Sequence, residues 1–232
     1  MSNLSKRIRE NRKLVDRRKE LTLEEGVEVL KKLKAAKFNE TVEVSIRLGV
    51  DPKKADQIVR GTVTLPHGTG KTIRVLAITK TKQGEAEAAG ADMAGFDEFI
   101  EKIKGGWTDV DVIVATPEAM PEIGKLGKIL GPRGLMPNPK AGTVTANIAQ
   151  AIQEIKAGKV EFRVDKFGIL HLGVGRLSFT EQQLRENLAE LFRNVMRLKP
   201  ASAKGQYVKS VYLSSTMSPG IRLARSVVEG AK

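Results

Sequence analysis

The chain has 232 residues, 41% of them hydrophobic, which is enough for one large domain or two small ones, each with a core of its own. Its 40 Lys and Arg against 27 Asp and Glu leave a net charge of +13, pointing to polyanionic partners, with a merely basic surface as the plainer alternative. The absence of cysteine excludes thiol nucleophiles and thiolate metal sites, and the two histidines, His67 and His171, lie far apart, so neither a metal nor a cofactor is expected.

No apolar run approaches the roughly 18 residues of a membrane span, and nothing at the start resembles a secretion signal. The expected location is therefore the cytoplasm.

Residues 1–20 carry Lys6, Arg7, Arg9, Arg12, Lys13, Arg17, Arg18 and Lys19 against Glu10, Asp16 and Glu20, with few apolar positions. Such a segment reads as a solvated or RNA-hugging arm. Thr22-Leu23-Glu24-Glu25 is a capping box, so a helix starts there, with Leu23, Val27, Leu30 and Leu33 as its buried stripe. Over 41–50 the period changes to two: Val42, Val44, Ile46, Leu48 and Val50 alternate with Glu43, Ser45 and Arg47, which predicts a strand with one wet face. A second strand is expected at 61–65.

Pro66-His67-Gly68-Thr69-Gly70 then marks a domain boundary and a flexible joint. Beyond it the expected elements are an all-apolar strand at 73–78, a helix near 96–104, a strand at 110–115, helical pieces over 118–130 and an amphipathic helix carrying Ile148, Ile152 and Ile155. Strands apolar on both faces that alternate with helices predict a Rossmann-like three-layer α/β domain. Ala157-Gly158 gives the second break. After it, 160–164 and 168–174 read as a hairpin around Asp165-Lys166-Phe167-Gly168, followed by a helix over 180–197, a strand at 208–214 and a short terminal helix.

Residues 67–158 hold 11 basic and 11 acidic side chains, whereas the two flanks together hold 29 and 16. The whole charge excess thus lies in the ends, each too poor in apolar surface to be stable alone. The expected organisation is a discontinuous, basic α+β sheet domain of 1–66 with 159–232, interrupted by an inserted Rossmann-like domain of 67–158.

Several motifs invite chemistry and have plainer readings. Gly68-Thr69-Gly70-Lys71-Thr72 suggests a phosphate-binding loop, but Leu65 stands where that pattern needs glycine and a strand follows where a helix should. The glycines are read as a hinge, with His67, Gly68, Gly70 and Gly158 as its candidates. The Gly- and Pro-rich stretch from Lys128 through Arg133 to Lys140 is either a polyanion contact or an ordered surface loop. Asp109 and Asp111 lack a third ligand and read as a solvated strand edge. No nucleophile, base and acid set is present, so no catalysis is expected. Aromatic residues make up only 4% of the chain, which favours folded RNA, read through backbone and 2′-hydroxyls, over unstructured single strands.

Lys37-Phe38-Asn39-Glu40-Thr41-Val42-Glu43, Leu48-Gly49-Val50-Asp51-Pro52-Lys53-Lys54-Ala55-Asp56-Gln57, Arg60-Gly61-Thr62-Val63 through Gly70 and Leu130-Gly131-Pro132-Arg133-Gly134-Leu135-Met136-Pro137-Asn138-Pro139-Lys140, with 159–166 and Ser214-Ser215-Thr216-Met217, together resemble one family: the bacterial large-subunit ribosomal protein L-one, of the mobile stalk beside the tRNA exit site. The likeness runs over nearly the whole chain. One departure is Ser218, where that family usually has Gly, so that a side chain is added at a close contact.

The resemblance implies a basic domain of both termini that binds a folded stem-loop region of large-subunit ribosomal RNA, and an inserted domain that hinges. It implies contact with deacylated tRNA leaving the exit site and repression of the protein's own operon through its messenger RNA. No membrane is among the implied partners, and the free protein is expected to be a monomer. The residues it singles out for RNA binding are Lys37, Phe38, Thr41, Asp165, Lys166, Gly168, Ser214, Thr216, Met217 and Ser218. In this reading Lys37 and Lys166 neutralise phosphates, while the hydroxyls of Thr41, Ser214 and Thr216 bond 2′-hydroxyls or base edges. Phe38 and Met217 pack on sugar or base faces, with a core position as the rival reading for Phe38. A nucleotide-dependent enzyme on the middle domain and a general basic DNA-binding protein are the competing classes.

Overall fold

A computed structural model describes residues 5–16 and 18–230. The chain opens with α1 (Lys6–Leu14), α2 (Leu23–Lys32), β1 (Thr41–Leu48) and β2 (Arg60–Thr64). It continues through β3 (Val75–Ile78), α3 (Gln83–Ala88), β4 (Met93–Gly95), α4 (Asp97–Lys104), β5 (Val112–Ala115), α5 (Met120–Lys125), α6 (Gly127–Leu130) and α7 (Ile148–Lys156). It closes with β6 (Lys159–Arg163), β7 (Ile169–Arg176), α8 (Glu181–Arg197), β8 (Val208–Ser215), β9 (Ile221–Leu223) and α9 (Ser226–Glu229). Contacts divide it into two compact units, residues 1–71 with 160–232, and residues 72–159.

In the first unit, β7, β1, β8 and β9 form an antiparallel sheet in that order, and β2 pairs with β6 in a second, two-stranded sheet. The alternation in β1 buries Val42, Val44, Ile46 and Leu48 against the stripe Leu184, Leu188, Leu191, Phe192 and Val195 of α8 and Val27 and Leu30 of α2. Both helices start on capping boxes, Thr22 with Glu25 and Thr180 with Gln183, each satisfying backbone donors at both residues. Leu23 is only partly buried, and Leu33 packs in the core from beyond the last helical turn.

The expected hairpin of 160–164 with 168–174 does not form. The chain turns at Asp165 as foreseen, but β6 pairs with β2 and β7 with β1. A period of two specifies a face and not a partner, so a short turn between two alternating runs misled the pairing.

The N-terminal segment is also more ordered than an arm. Its helix α1 has no apolar stripe, but it is docked by the fully buried Asn11, whose amide donates to the carbonyl of Lys34 at 3.0 Å and accepts from the Lys34 N–H at 2.9 Å. Val15 adds a core contact. Arg17, counted in that arm, lies outside the described residues. Asn11→Ala would leave the Lys34 N–H unpaired and its carbonyl with the Arg7 guanidinium alone, two lost bonds costing about 2 kcal/mol at roughly 1 per bond. Faster hydrogen exchange at Lys34 and a lower Tm are expected; an unchanged Lys34 amide would show that Asn11 does not dock the helix.

The second unit is a parallel sheet of order β4-β3-β5. One face packs Leu76, Ile78 and Ile113 on α4, α5 and α6, and the other packs Val75, Ala77 and Val114 on α3 and α7. This is the three-layer α/β arrangement that strands apolar on both faces require.

Candidate nucleic-acid interface

The α2 and α8 layer covers one face of the four-stranded sheet and leaves the other wet. Reading across register, that face presents Glu43 beside Gly173 and Ser214, then Ser45 beside His171 and Tyr212, then Arg47 beside Ile169 and Ser210. Ser45 and His171 are hydrogen-bonded at 3.1 Å, and His171 lies 3.6 Å from the Asp165 carboxylate.

The sequence-predicted residues fall at the two ends of this face. At one end β1 begins, and the Thr41 N–H donates to the Thr216 hydroxyl oxygen while the Thr216 N–H donates to the Thr41 carbonyl, both at 3.1 Å. Ser214 pairs with Glu43 on the same edge, and Lys37, Phe38 and Met217 are exposed around it. Phe38 is 53% exposed, which removes the core reading for it. At the other end lie Asp165, Lys166 and Gly168, roughly 23 Å away at about 3.3 Å per strand residue. The two groups are not one cluster but the termini of one platform.

Glu40 builds the first end. It is fully buried, yet its carboxylate accepts from the Ala36 N–H and the Ser215 hydroxyl, both at 2.5 Å, and from the Met217 N–H at 3.0 Å. Arg7 of α1 sits 4.0 Å from it and donates to the carbonyls of Lys34 and Met217. Burial by itself would raise the Glu40 pKa; the hydrogen bonds from Ser215, Ala36 and Met217 and the Arg7 charge outweigh it and hold the carboxyl below its ordinary value. One side chain thus ties the 36–41 segment, the 215–217 turn and the N-terminal helix together.

A bulge after Val42 offsets β7 and brings Arg176 to the same end, donating to the Asn39 carbonyl at 3.2 Å and the Thr41 hydroxyl at 3.0 Å. Ser218 takes up no special backbone, since no described non-glycine residue has positive φ. Its hydroxyl instead accepts from the Ser215 N–H at 2.8 Å and closes the turn.

At the far end, the Asp165 carboxylate accepts from the N–H groups of Phe167 and Ile169, both at 2.8 Å. Burial would raise its pKa, but those bonds and the nearby His171 lower it. Asp165 is therefore spent on shaping the turn. Gly168 has φ +77°, and a Cβ there would lie 3.3 Å from the Val50 carbonyl oxygen. Gly168→Ala is expected to lower stability by about 1 to 2 kcal/mol. Gly134→Ala, with φ +69° and open space, is the control; equal losses would mean that the carbonyl contact is irrelevant.

Sequence reading missed Phe167, 80% exposed at the tip of this turn, and the mid-platform residues Ser45, Arg47, His171 and Tyr212. Of the exposed large hydrophobics among the described residues, Phe38, Met217, Tyr212 and Phe167 all lie on or beside this face. The usable signal was an aromatic next to Lys166 in a turn, and polar residues at alternate positions of three paired strands.

The hinge candidates sit at the boundary. The side-chain oxygen of buried Asn187 accepts from the His67 N–H at 3.0 Å, and its amide donates to the carbonyls of Gly68 at 2.9 Å and Val174 at 2.8 Å. His67 also meets Glu186. Gly68, Gly70 and Gly158 have φ values of +63°, +67° and +106°.

Among the described residues, no group of three or more His, Cys, Asp or Glu could hold a metal ion, and no helix is long and apolar enough to cross a membrane. The structure is that of a two-unit α/β protein with a broad polar face flanked by exposed aromatic and cationic side chains, the kind of surface that meets a nucleic acid. The chain belongs to the ribosomal protein L1p/L10e family, whose model matches residues 30–219. It is 56% identical over 224 residues to "Large ribosomal subunit protein uL1" of Protochlamydia amoebophila, covering 96% of this chain and 95% of that one. It is 58% identical over 212 residues to the protein of the same name from Chlorobium luteolum, covering 91% and 93%. With that of Parabacteroides distasonis it shares 54% identity over 234 residues, 99% of each chain. The family expected from the quoted motifs is thus the family found.

Proposed function

We propose that the protein is a structural constituent of the large ribosomal subunit, that it binds ribosomal RNA through the wet face of the first unit, and that its place in the cell is the cytoplasm. The observation that carries this is the Glu40-braced platform, where hydroxyls, cations and exposed aromatics are fixed in advance on strands, so that little ordering cost falls on binding. Lys37 and Lys166 meet phosphates, the hydroxyls of Thr41, Ser214 and Thr216 meet 2′-hydroxyls or base edges, and Phe38 and Met217 pack on sugars or bases. Asp165, Gly168 and Ser218 shape the turns that present them. Phe167, Tyr212, Arg47 and His171 extend the contact along the sheet.

The finer roles are those that the family resemblance implies. Contact with tRNA leaving the exit site uses the basic flanks, and repression of the protein's own operon uses a messenger RNA structure that imitates the ribosomal one. His67, Gly68, Gly70 and Gly158 bound the two crossings at which the inserted unit moves.

Affinity of the full chain for the ribosomal stem-loop, for a scrambled RNA duplex and for duplex DNA, measured across a salt series, tests this. A preference of at least about a hundredfold for the stem-loop is expected. Equal binding to duplex DNA would instead favour a general basic DNA-binding protein.

A further inference from the structure

The second unit is neutral, with 11 basic and 11 acidic side chains over 72–159, but its charge is sorted along the chain. Residues 83–122 hold ten carboxylates and two lysines, whereas 123–153 hold Lys125, Lys128, Arg133 and Lys140 and no carboxylate.

The cations are also treated differently. Arg74 is held by Asp109 at 2.6 Å, Lys125 by Glu122 at 2.9 Å, Lys156 by Asp92 at 3.3 Å, Lys159 by Glu154 at 2.8 Å and Lys82 by Glu85 at 3.8 Å. Lys80 and Lys102 lie over the rings of Phe96 and Phe99. Lys128, Arg133 and Lys140 are exposed and have no carboxylate partner among the described residues; outside the segment Lys104 shares that condition, but it stands alone there among carboxylates. A stretch that is only solvated has no reason to exclude carboxylates over thirty residues of loop and helix; a surface that must meet phosphates has one.

The loop is rigidly built. The Leu135 N–H donates to the Leu130 carbonyl at 3.0 Å, the Asn138 N–H to the Thr143 hydroxyl at 2.8 Å and the Lys140 N–H to the Asn138 side chain at 2.8 Å. Pro137 is buried, and Leu135 and Met136 pack on the core. Its placement is that of a binding loop. The chain leaves it alongside the end of β5, where the Ala115 N–H donates to the Thr143 carbonyl and the Thr145 N–H to the Ala115 carbonyl. The region outside the carboxyl ends of the strands is where open α/β sheets bind ligands. One residue on, the buried hydroxyl of Thr116 has no hydrogen-bond partner among the described residues.

We propose that Lys128, Arg133 and Lys140, on the 127–142 segment, form a second contact with RNA on the inserted unit, one that grips the phosphate backbone without reading sequence. The choice of RNA as the polyanion rests on the function proposed above.

The test uses the full chain and a 30-base-pair RNA duplex of arbitrary sequence. Binding is measured from 50 to 300 mM salt for the wild type, for K128Q/R133Q/K140Q, and for K82Q/K102Q/K156Q, which removes the same charge from partnered positions of the same unit. At about 0.7 to 0.9 in slope per phosphate contact, the loop variant should lower the dependence of log affinity on log salt by about 2 to 3, with roughly tenfold weaker binding near 100 mM. The control should change affinity less than about threefold. Equal losses in the two variants, or an unchanged slope in the loop variant, would overturn the proposal. The stem-loop serves as a separate arm. If the wild type does not prefer it to the duplex, the proposed ribosomal function fails, while the loop is still judged by the two slopes.

Discussion

Glu40→Ala is expected to weaken stem-loop binding by about a hundredfold or more and to lower stability by roughly 3 kcal/mol. The carboxylate accepts from Ala36, Ser215 and Met217, and removing it leaves the buried Ser215 hydroxyl and the part-buried N–H groups of Ala36 and Met217 without that partner beside the Arg7 charge. Both segments that carry Lys37, Phe38, Thr216 and Met217 lose their common anchor. Glu40→Gln keeps the shape and one acceptor oxygen but turns an amide toward groups that donate, so it should recover part of the stability and less of the affinity. If the alanine variant lost stability but bound RNA with unchanged affinity at a temperature where it is folded, Glu40 would be a core residue without influence on the face.

The same group sets a pH dependence. Its folded pKa lies below the ordinary 4.5, so the unfolded chain takes up the proton first. The stabilisation is complete above that ordinary value and disappears as pH falls through the folded one. Wild-type stability should therefore drop more steeply below about pH 4.5 than that of Glu40→Gln; parallel curves would show that the carboxylate charge is not what the turn needs.

Asn187→Leu should cost about 3 kcal/mol, because three backbone groups, part-buried on His67 and Gly68 and buried on Val174, lose their partner at once. The effect should be local to the crossing. Amide exchange at His67 should quicken by orders of magnitude while β1 and β8 stay protected, and stem-loop affinity should fall less than about threefold. Loss of protection throughout the first unit would mean that Asn187 is a general core support and not the anchor of the crossing.

Much of this fold is legible in the residues, and the failures have a common cause. The strand at 41–48, the helices after Thr22 and Thr180 and the apolar strands of the inserted unit are stated locally, by alternation, by capping boxes and by β-branched runs. What escaped depends on partners distant in sequence. The helix α1 is held by Asn11 reaching Lys34, the 159–163 strand chose β2 over its neighbour, and α3 buries only Ala86 and so has no stripe to detect. Among the strands, β4 and β9 span only three residues each, too short for periodicity to declare them.

The candidate site divides in the same way. Lys37, Phe38, Thr216 and Met217 are singled out by their motifs, whereas Glu40 stands inside one of those motifs without being marked by it, because only its burial shows what it does. Arg47, His171 and Tyr212 become neighbours only once three strands are in register.

The most direct test replaces residues 72–159 by a short linker and measures stem-loop affinity beside the full chain at 150 mM salt. If selective binding belongs to the wet face of the first unit, the shortened chain should keep stem-loop affinity within about threefold and keep its preference over a scrambled duplex. A shortened chain that folds but binds stem-loop and duplex alike would place recognition in the inserted unit and contradict the account.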